Sequence, residues 1–202
     1  MLRPPPRLEI RWKICYNQAD HQNAARAGRK RIGCAVMVYE TKCSGFTIRD
    51  AVESDAGLIL ELIRGLADYE QMSGDVHTDE ETLRRNLFDN QQANVIIGEE
   101  AGVPVCFALY FYNFSTFQGR HGLYLEDLFV KPEYRGKGYG SAMLAWLAKK
   151  AVDEDCGRFE WVCLDWNEPA LKVYRRLGAQ PQNQWVIQRL TGRELTDLAN
   201  SF

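Results

Sequence analysis

Leu123-Tyr-Leu-Glu-Asp-Leu-Phe-Val130 leads, after a short break, into Tyr134-Arg-Gly-Lys-Gly-Tyr-Gly-Ser141 and then into an apolar-periodic run ending near Asp153. The first stretch is apolar on both faces, so Gly122 to Val130 reads as a central strand. The last reads as a helix from Gly138, with Met143, Trp146, Leu147 and Ala151 inward. A glycine-rich turn between strand and helix aims backbone N–H groups and the positive helix end at one point, which is an anion site suited to phosphate. Gly138 and Gly140 are read as the positions that approach closely and take φ > 0. Arg135 and Lys137 add positive charge.

Outward from this core, Phe46 to Arg49 reads as a first strand and Asp55 to Tyr69 as a helix with Ser54 or Asp55 as cap. Thr78 to Leu87 reads as a more polar helix opened by a Thr78-x-x-Glu81 capping box. Ala93 to Gly98 and Val103 to Tyr112 are strands joined by the tight turn Glu99 to Gly102, hence a hairpin. Phe159 to Leu164 follows as a strand. Asn167 caps a helix reaching Leu177, with Pro169 in its first turn and Gly178 past its end. Trp185 to Leu190 reads as a last strand and Thr191 to Ala199 as a last short helix. The order β-α-α-β-β-β-α-β-α-β gives an α/β layer structure with one mixed sheet.

The chain has 202 residues, enough for one domain with a sizeable core. Its apolar runs are too short to span a membrane, and its start lacks a signal-peptide core. Charge is unevenly spread: residues 1–44 carry +6 and residues 45–202 carry −8, for the net of −2. The acidic body argues against nucleic acid as ligand and favours cationic partners. Residues 1–44, with Pro4-Pro5-Pro6 and the basic cluster Arg29-Lys30-Arg31, read as a poorly ordered N-terminal extension or upstream sequence. An organelle transit segment and a nucleic-acid arm are the other readings. The six cysteines (Cys15, Cys34, Cys43, Cys106, Cys156, Cys163) show no metal-type spacing, which suits a reduced, cytoplasmic setting. Cys106 and Cys163 fall in strand-like runs and read as core thiols.

Glu126 and Asp127 interrupt the central strand. Neighbouring strand residues point to opposite faces, so both carboxylates need an account. In a cleft, desolvation raises a carboxylate pKa toward the range of a general base. Glu126 reads as the functional one. Asp127 reads as a structural carboxylate bonded to backbone amides or arginine. Tyr174 sits one turn before Gly178; it is core packing unless its phenol faces the same cleft.

Taken together, Arg135-x-x-Gly138-x-Gly140 after a strand and before a helix resembles the acetyl-CoA pyrophosphate signature of the GCN5-related N-acetyltransferase (GNAT) superfamily. Leu123 to Val130, Tyr134 to Ser141, Trp166-Asn-Glu-Pro-Ala-Leu-Lys-Val-Tyr174, Gly178-Ala179, Phe46-Thr-Ile-Arg49 and Ala67-Asp-Tyr-Glu70 look like the spermidine/spermine (diamine) N-acetyltransferase branch, over Phe46 to about Ala199. The resemblance implies an acetyltransferase domain over residues 45–202, with a GNAT-like, mostly antiparallel mixed sheet flanked by helices and splayed at its centre. It implies acetyl-CoA as co-substrate and no metal. Leu128, Phe129 and Val130 would hold the pantetheine arm like an added strand. Arg135, Gly136, Lys137, Gly138, Tyr139, Gly140 and Ser141 would hold the pyrophosphate. Asn167, with Glu168, Pro169 and Ala170 after it, would complete the cofactor site. Glu126 would take the substrate ammonium's proton through water, and Tyr174 would protonate the leaving thiolate. The amine would attack directly in a ternary complex, near a strand N–H at Phe129. Tyr69, Glu70, Glu126, Asp127 and Phe117 would meet the amine.

The implied activity is N-acetyl transfer to a small primary amine, with polyamine or diamine first. Ser115-Thr-Phe-Gln-Gly-Arg-His121 departs from the polyamine pattern, where a tryptophan and an acidic residue stand near Phe117. Arg120 and His121 make room for a carboxylate-bearing substrate, so thialysine or an amino-acid side chain is the alternative; a non-catalytic acyl-CoA sensor is another. A nucleotide site is disfavoured, because the loop lacks the Gly-Lys-Ser/Thr ending of a P-loop. A homodimer is implied by the family, with Trp185 to Leu190 as a candidate pairing segment.

Overall fold

A computed structural model describes residues 36–202. The expectations for the extension up to residue 35, including Pro4–Pro6, Arg29–Arg31, Cys15 and Cys34, lie outside the described residues. Within residues 36–44 a strand is present: β1 (Val38–Glu40) pairs antiparallel with β2 (Phe46–Asp50). Thereafter come α1 (Ala56–Tyr69), α2 (Glu80–Arg84), β3 (Asn94–Glu100), β4 (Val103–Ser115), β5 (Arg120–Val130), α3 (Tyr139–Asp153), β6 (Phe159–Trp161), α4 (Glu168–Arg176) and α5 (Gly192–Ala199). The six strands lie in the order β1-β2-β3-β4-β5-β6, all neighbours antiparallel except the parallel pair β5–β6.

Period-two alternation distributes the strands over two apolar layers. Ile96, Cys106 and Ala108 face α3, where Met143, Leu144 and Leu147 are buried against them. Val95, Ile97 and Phe107 face α1, against Ile59 and Leu62. Two caps differ from expectation. Asp55 stands at the start of α1 but accepts no bond from the helix. Its carboxylate instead accepts from Arg49 Nη1 at 2.7 Å and from the Val52 N–H at 2.7 Å, while Arg49 Nε reaches Glu99 at 2.7 Å. At α2 the cap is Asp79, not Thr78: Asp79 Oδ1 accepts from the Thr82 N–H at 2.7 Å. Glu81 turns to Arg84 rather than back to Thr78.

The Glu99–Gly102 turn forms the expected hairpin, with Ala101 and Gly102 both at positive φ, as the tight two-residue connection requires. Two strand expectations are corrected. The strand at Phe159 ends at Trp161, because β5 and β6 pair only over Leu123–Leu125 and Phe159–Trp161 before they part. Trp185 to Leu190 is not a strand: among the described residues no strand pairs with it, and Trp185, Val186 and Ile187 are exposed.

Candidate active site

The parting of β5 from β6 makes a cleft of about 920 Å³. One wall is Leu125 to Val130 of β5, and the other is Trp161 to Leu164. The loop before α3, the start of α4 and the C-terminal turn of α1 complete its lining. Among the described residues β5 has no strand partner on the β6 side beyond Leu125, so the backbone from Leu128 to Val130 presents an open edge.

A β-bulge sets the chemistry of that wall. Leu109 opposes Asp127, but Tyr110 opposes Leu125, so Glu126 is an extra residue in β5. The bulge reverses the strand's parity. Before it, Leu123 and Leu125 face the α3 layer; after it, Leu128 and Val130 do. Glu126 and Asp127 are therefore turned to the same side, the one that holds α1, and both line the cleft. This corrects the expectation of opposite faces. The expectation of Asp127 as a bonded structural carboxylate also fails: among the described residues no hydrogen bond or ion pair reaches its side chain.

Glu70, at the end of α1, lines the same pocket. Burial, with Glu126 and Glu70 as negative neighbours, pushes the Asp127 carboxyl up to about 6. Burial also raises Glu70. Glu126 is the exposed member of the group. Tyr174 borders the cleft with its ring edge-on to Trp161, centroids 5.1 Å apart. Burial, with Cys163, Glu70 and Tyr69 nearby, pushes its phenol up to about 12, so it stays protonated through the working range. Cys163 lies in the cleft wall beyond β6 rather than in the core, and burial raises its thiol. Cys106 is fully buried and pushed up to about 12. Neither favours a thiolate nucleophile.

The loop has positive φ at Gly136 (81°) and Gly138 (88°), whereas Gly140 lies in the first turn of α3, which corrects the assignment of φ > 0 to Gly140. Gly136, Gly138, Gly140, Ser141 and Arg135 line the cleft, and Lys137 does not. Arg135 donates from Nε to the Val130 carbonyl at 3.0 Å and lies over the Tyr69 ring, 4.3 Å from its centroid. The Tyr69 hydroxyl donates to Asn167 Oδ1 at 3.0 Å, and the same oxygen caps α4 by accepting from the Ala170 N–H at 3.3 Å. Tyr69 thus links the glycine loop to α4 across the cleft, an arrangement that sequence reasoning missed.

Pro169 and Ala170 border the pocket, while Glu168 points to Arg175 at 3.1 Å. Phe117, 94% exposed at the β4–β5 hairpin tip, lies outside this chain's cleft. Arg120 and His121 also lie away from it: Arg120 pairs with Asp155 at 2.8 Å, and His121 packs edge-on to Tyr112.

Residues 60–179 match the Acetyltransferase (GNAT) family. The chain belongs to this family. It is 39% identical over 164 residues to the thialysine N-epsilon-acetyltransferase of Bos taurus, covering 75% of this chain and 96% of that protein. It is 30% identical over 171 residues to spermidine/spermine N(1)-acetyltransferase-like protein 1 of Homo sapiens, covering 79% of this chain and 24% of that protein. An integron cassette protein from the mobile metagenome of V. cholerae shares the fold with a TM-score of 0.66 and 26% identity, over 77% of this chain and 98% of that one. As a GNAT member the chain is an N-acetyltransferase with acetyl-CoA as its co-substrate. The cleft fits that molecule: the glycine loop offers N–H groups for a pyrophosphate, and the open edge of β5 offers a ladder for an amide-bearing arm. Among the described residues no cluster of His, Cys, Asp and Glu is arranged to hold a metal, and no helix is long and apolar enough to cross a membrane.

Proposed function

We propose that this protein transfers the acetyl group of acetyl-CoA directly to a small primary amine bound against Glu70, Glu126 and Asp127. The observation that carries this reading is one cleft lined both by a phosphate-type loop and by an acidic cluster whose Asp127 is desolvated. The pyrophosphate lies on the N–H groups of Gly136 to Ser141, and the pantetheine arm runs along Leu128 to Val130. The acidic cluster draws in the ammonium form of the substrate. Asp127 holds that ammonium, and Glu126, on the wet side of the bulge, takes its proton through water; a protonated amine has no lone pair to attack with. The neutral amine then attacks the thioester carbonyl, whose developing oxyanion is met by a β5 backbone N–H. Tyr174, a phenol held in its neutral form, gives its proton to the departing sulfur.

Within this class, a thialysine-type side-chain amine stands first, supported by the 39% identity to a thialysine acetyltransferase. A polyamine is the second reading, favoured by the acidic cleft and by the position of Arg120, which pairs with Asp155 instead of facing the substrate. Initial rates of thiol release with thialysine, lysine, putrescine, spermidine and spermine test the choice. The reading expects the highest kcat/KM for thialysine. A preference for spermidine or spermine of more than about ten-fold would reverse the order.

We also propose a homodimer in the cytoplasm. Exposed Trp185, Val186, Ile187, Leu195 and Leu198 form an apolar C-terminal segment, and β6 is an open sheet edge, which together support pairing with a second copy. Light scattering should give twice the chain mass for the full chain. Removing the residues after Gln180 should give a monomer; a dimer of unchanged affinity would rule this segment out.

A further inference from the structure

We infer that Glu100 is a positioning residue for the pyrophosphate loop, gripping it from outside the cleft so that its backbone N–H groups are pre-aimed. The inference rests on the acetyl-CoA reading of that loop.

The geometry is particular. Lys137 Nζ donates to Glu100 Oε1 at 2.8 Å and to Oε2 at 3.0 Å. The Tyr139 hydroxyl donates to the same Oε1. Lys137 and Tyr139 flank Gly138, the residue at φ 88° on which the loop pivots into α3. One carboxylate therefore holds both side chains around the pivot. This turns Lys137 out of the cleft and leaves Gly136, Gly138 and Gly140 lining it. The phosphate end is then made of backbone donors rather than of a lysine charge.

The grip is itself rigid. Glu100 ends β3, where it pairs in register with Phe46, and the tight Ala101–Gly102 turn follows. The Ala101 N–H donates to the Gly45 carbonyl at 2.9 Å. Phe46 is buried and stacks flat on the Tyr139 ring, with centroids 4.1 Å apart and planes 5° apart. Two cross-strand neighbours thus hold Tyr139 at its face and at its hydroxyl. Lys137 and Tyr139 hold the Glu100 carboxyl below the usual carboxylate range, and the bond to Glu100 with burial pushes the Tyr139 phenol up to about 12. The contact is therefore intact across neutral pH. A loop already held in its binding shape loses less freedom when the phosphate arrives, which is the general source of affinity from preorganisation.

The test compares acetyl-CoA with acetyl-pantetheine, which carries the same thioester but no pyrophosphate. In Glu100→Ala, KM for acetyl-CoA should rise about ten-fold or more, as expected for lost charge-assisted bonds. The kcat, the KM for amine and kcat/KM for acetyl-pantetheine should stay within about two-fold of wild type. Glu100→Gln and Tyr139→Phe, which keep shape and packing, should give smaller rises of the same kind. Glu100→Asp should recover part of the loss. Equal losses with both acyl donors, or an unchanged KM for acetyl-CoA, would overturn the role of Glu100. Wild-type protein that uses acetyl-pantetheine as well as acetyl-CoA would instead overturn the phosphate reading of the loop, and this inference with it.

Discussion

Asp127→Asn is expected to lower kcat/KM for the amine by about a hundred-fold at neutral pH and to erase the acidic limb of the pH profile. The sign follows from the site. The Asp127 carboxyl is pushed up to about 6 by burial and by the charges of Glu126 and Glu70, so it carries its charge only above that pH. In wild type, kcat/KM should rise as pH climbs through about 6 and the ammonium gains its partner. With asparagine there is no such titration, and activity should be low and flat across the same window. Glu126→Gln should cut kcat by a similar order while the acidic limb survives, moved to lower pH, because Asp127 still titrates but no longer feels the charge of Glu126. A profile in which Glu126→Gln, and not Asp127→Asn, removes the limb would exchange the two roles.

The same substitution should stabilise the protein. The folded pKa of Asp127, about 6, lies above its ordinary 3.8, so the folded state binds more protons between those values. Stability contributed by the protonated form is complete at low pH and is lost as pH rises through 6. Asp127→Asn should accordingly raise Tm at neutral pH, with the gain shrinking to nothing below about pH 4. A stability gain with an activity loss is the signature of a carboxylate kept desolvated for function.

Tyr174→Phe is the second large effect expected: a fall of about ten- to a hundred-fold in kcat, with both KM values little changed. The phenol is pushed up to about 12, so it holds its proton throughout the assay range and should impose no descending limb at moderately alkaline pH. The loss is bounded because a thiol of ordinary pKa, about 8.5, leaves passably as its own thiolate. Phenylalanine keeps the edge-on contact with Trp161, so Tm should move little. An unchanged kcat, measured where chemistry limits the rate, would remove Tyr174 as the acid.

Much of the architecture was legible in the residues. The strands read at Ala93 to Gly98 and Val103 to Tyr112, the turn read at Glu99 to Gly102 and the glycine loop before α3 are local signals, and the structure has strands at Asn94–Glu100 and Val103–Ser115 with the turn at Ala101-Gly102. What the sequence hid is non-local. The bulge at Glu126 exists only through the register of β5 against Leu109 and Tyr110, so period-two reasoning put the two carboxylates on opposite faces. Strand β1 is three residues long and is defined by its ladder with β2 rather than by its own pattern. Conversely, Trp185 to Leu190 has a strand's composition, yet composition without a partner edge makes no ladder. The reach of Glu100 to Lys137 and Tyr139, across 37 and 39 residues, carries no sequence motif. Neither does the contact of Tyr69 with Arg135 and Asn167.

The most direct test of direct acetyl transfer follows the acetyl group itself. Protein is incubated with acetyl-CoA labelled in the acetyl carbon, with and without thialysine or spermidine, quenched, and both small molecules and protein are weighed by mass spectrometry. The account predicts label on the amine in step with CoA release, and unmodified protein in both arms. Label on the protein without amine, at Cys163 or elsewhere, or CoA release with no acetylated amine, would contradict it.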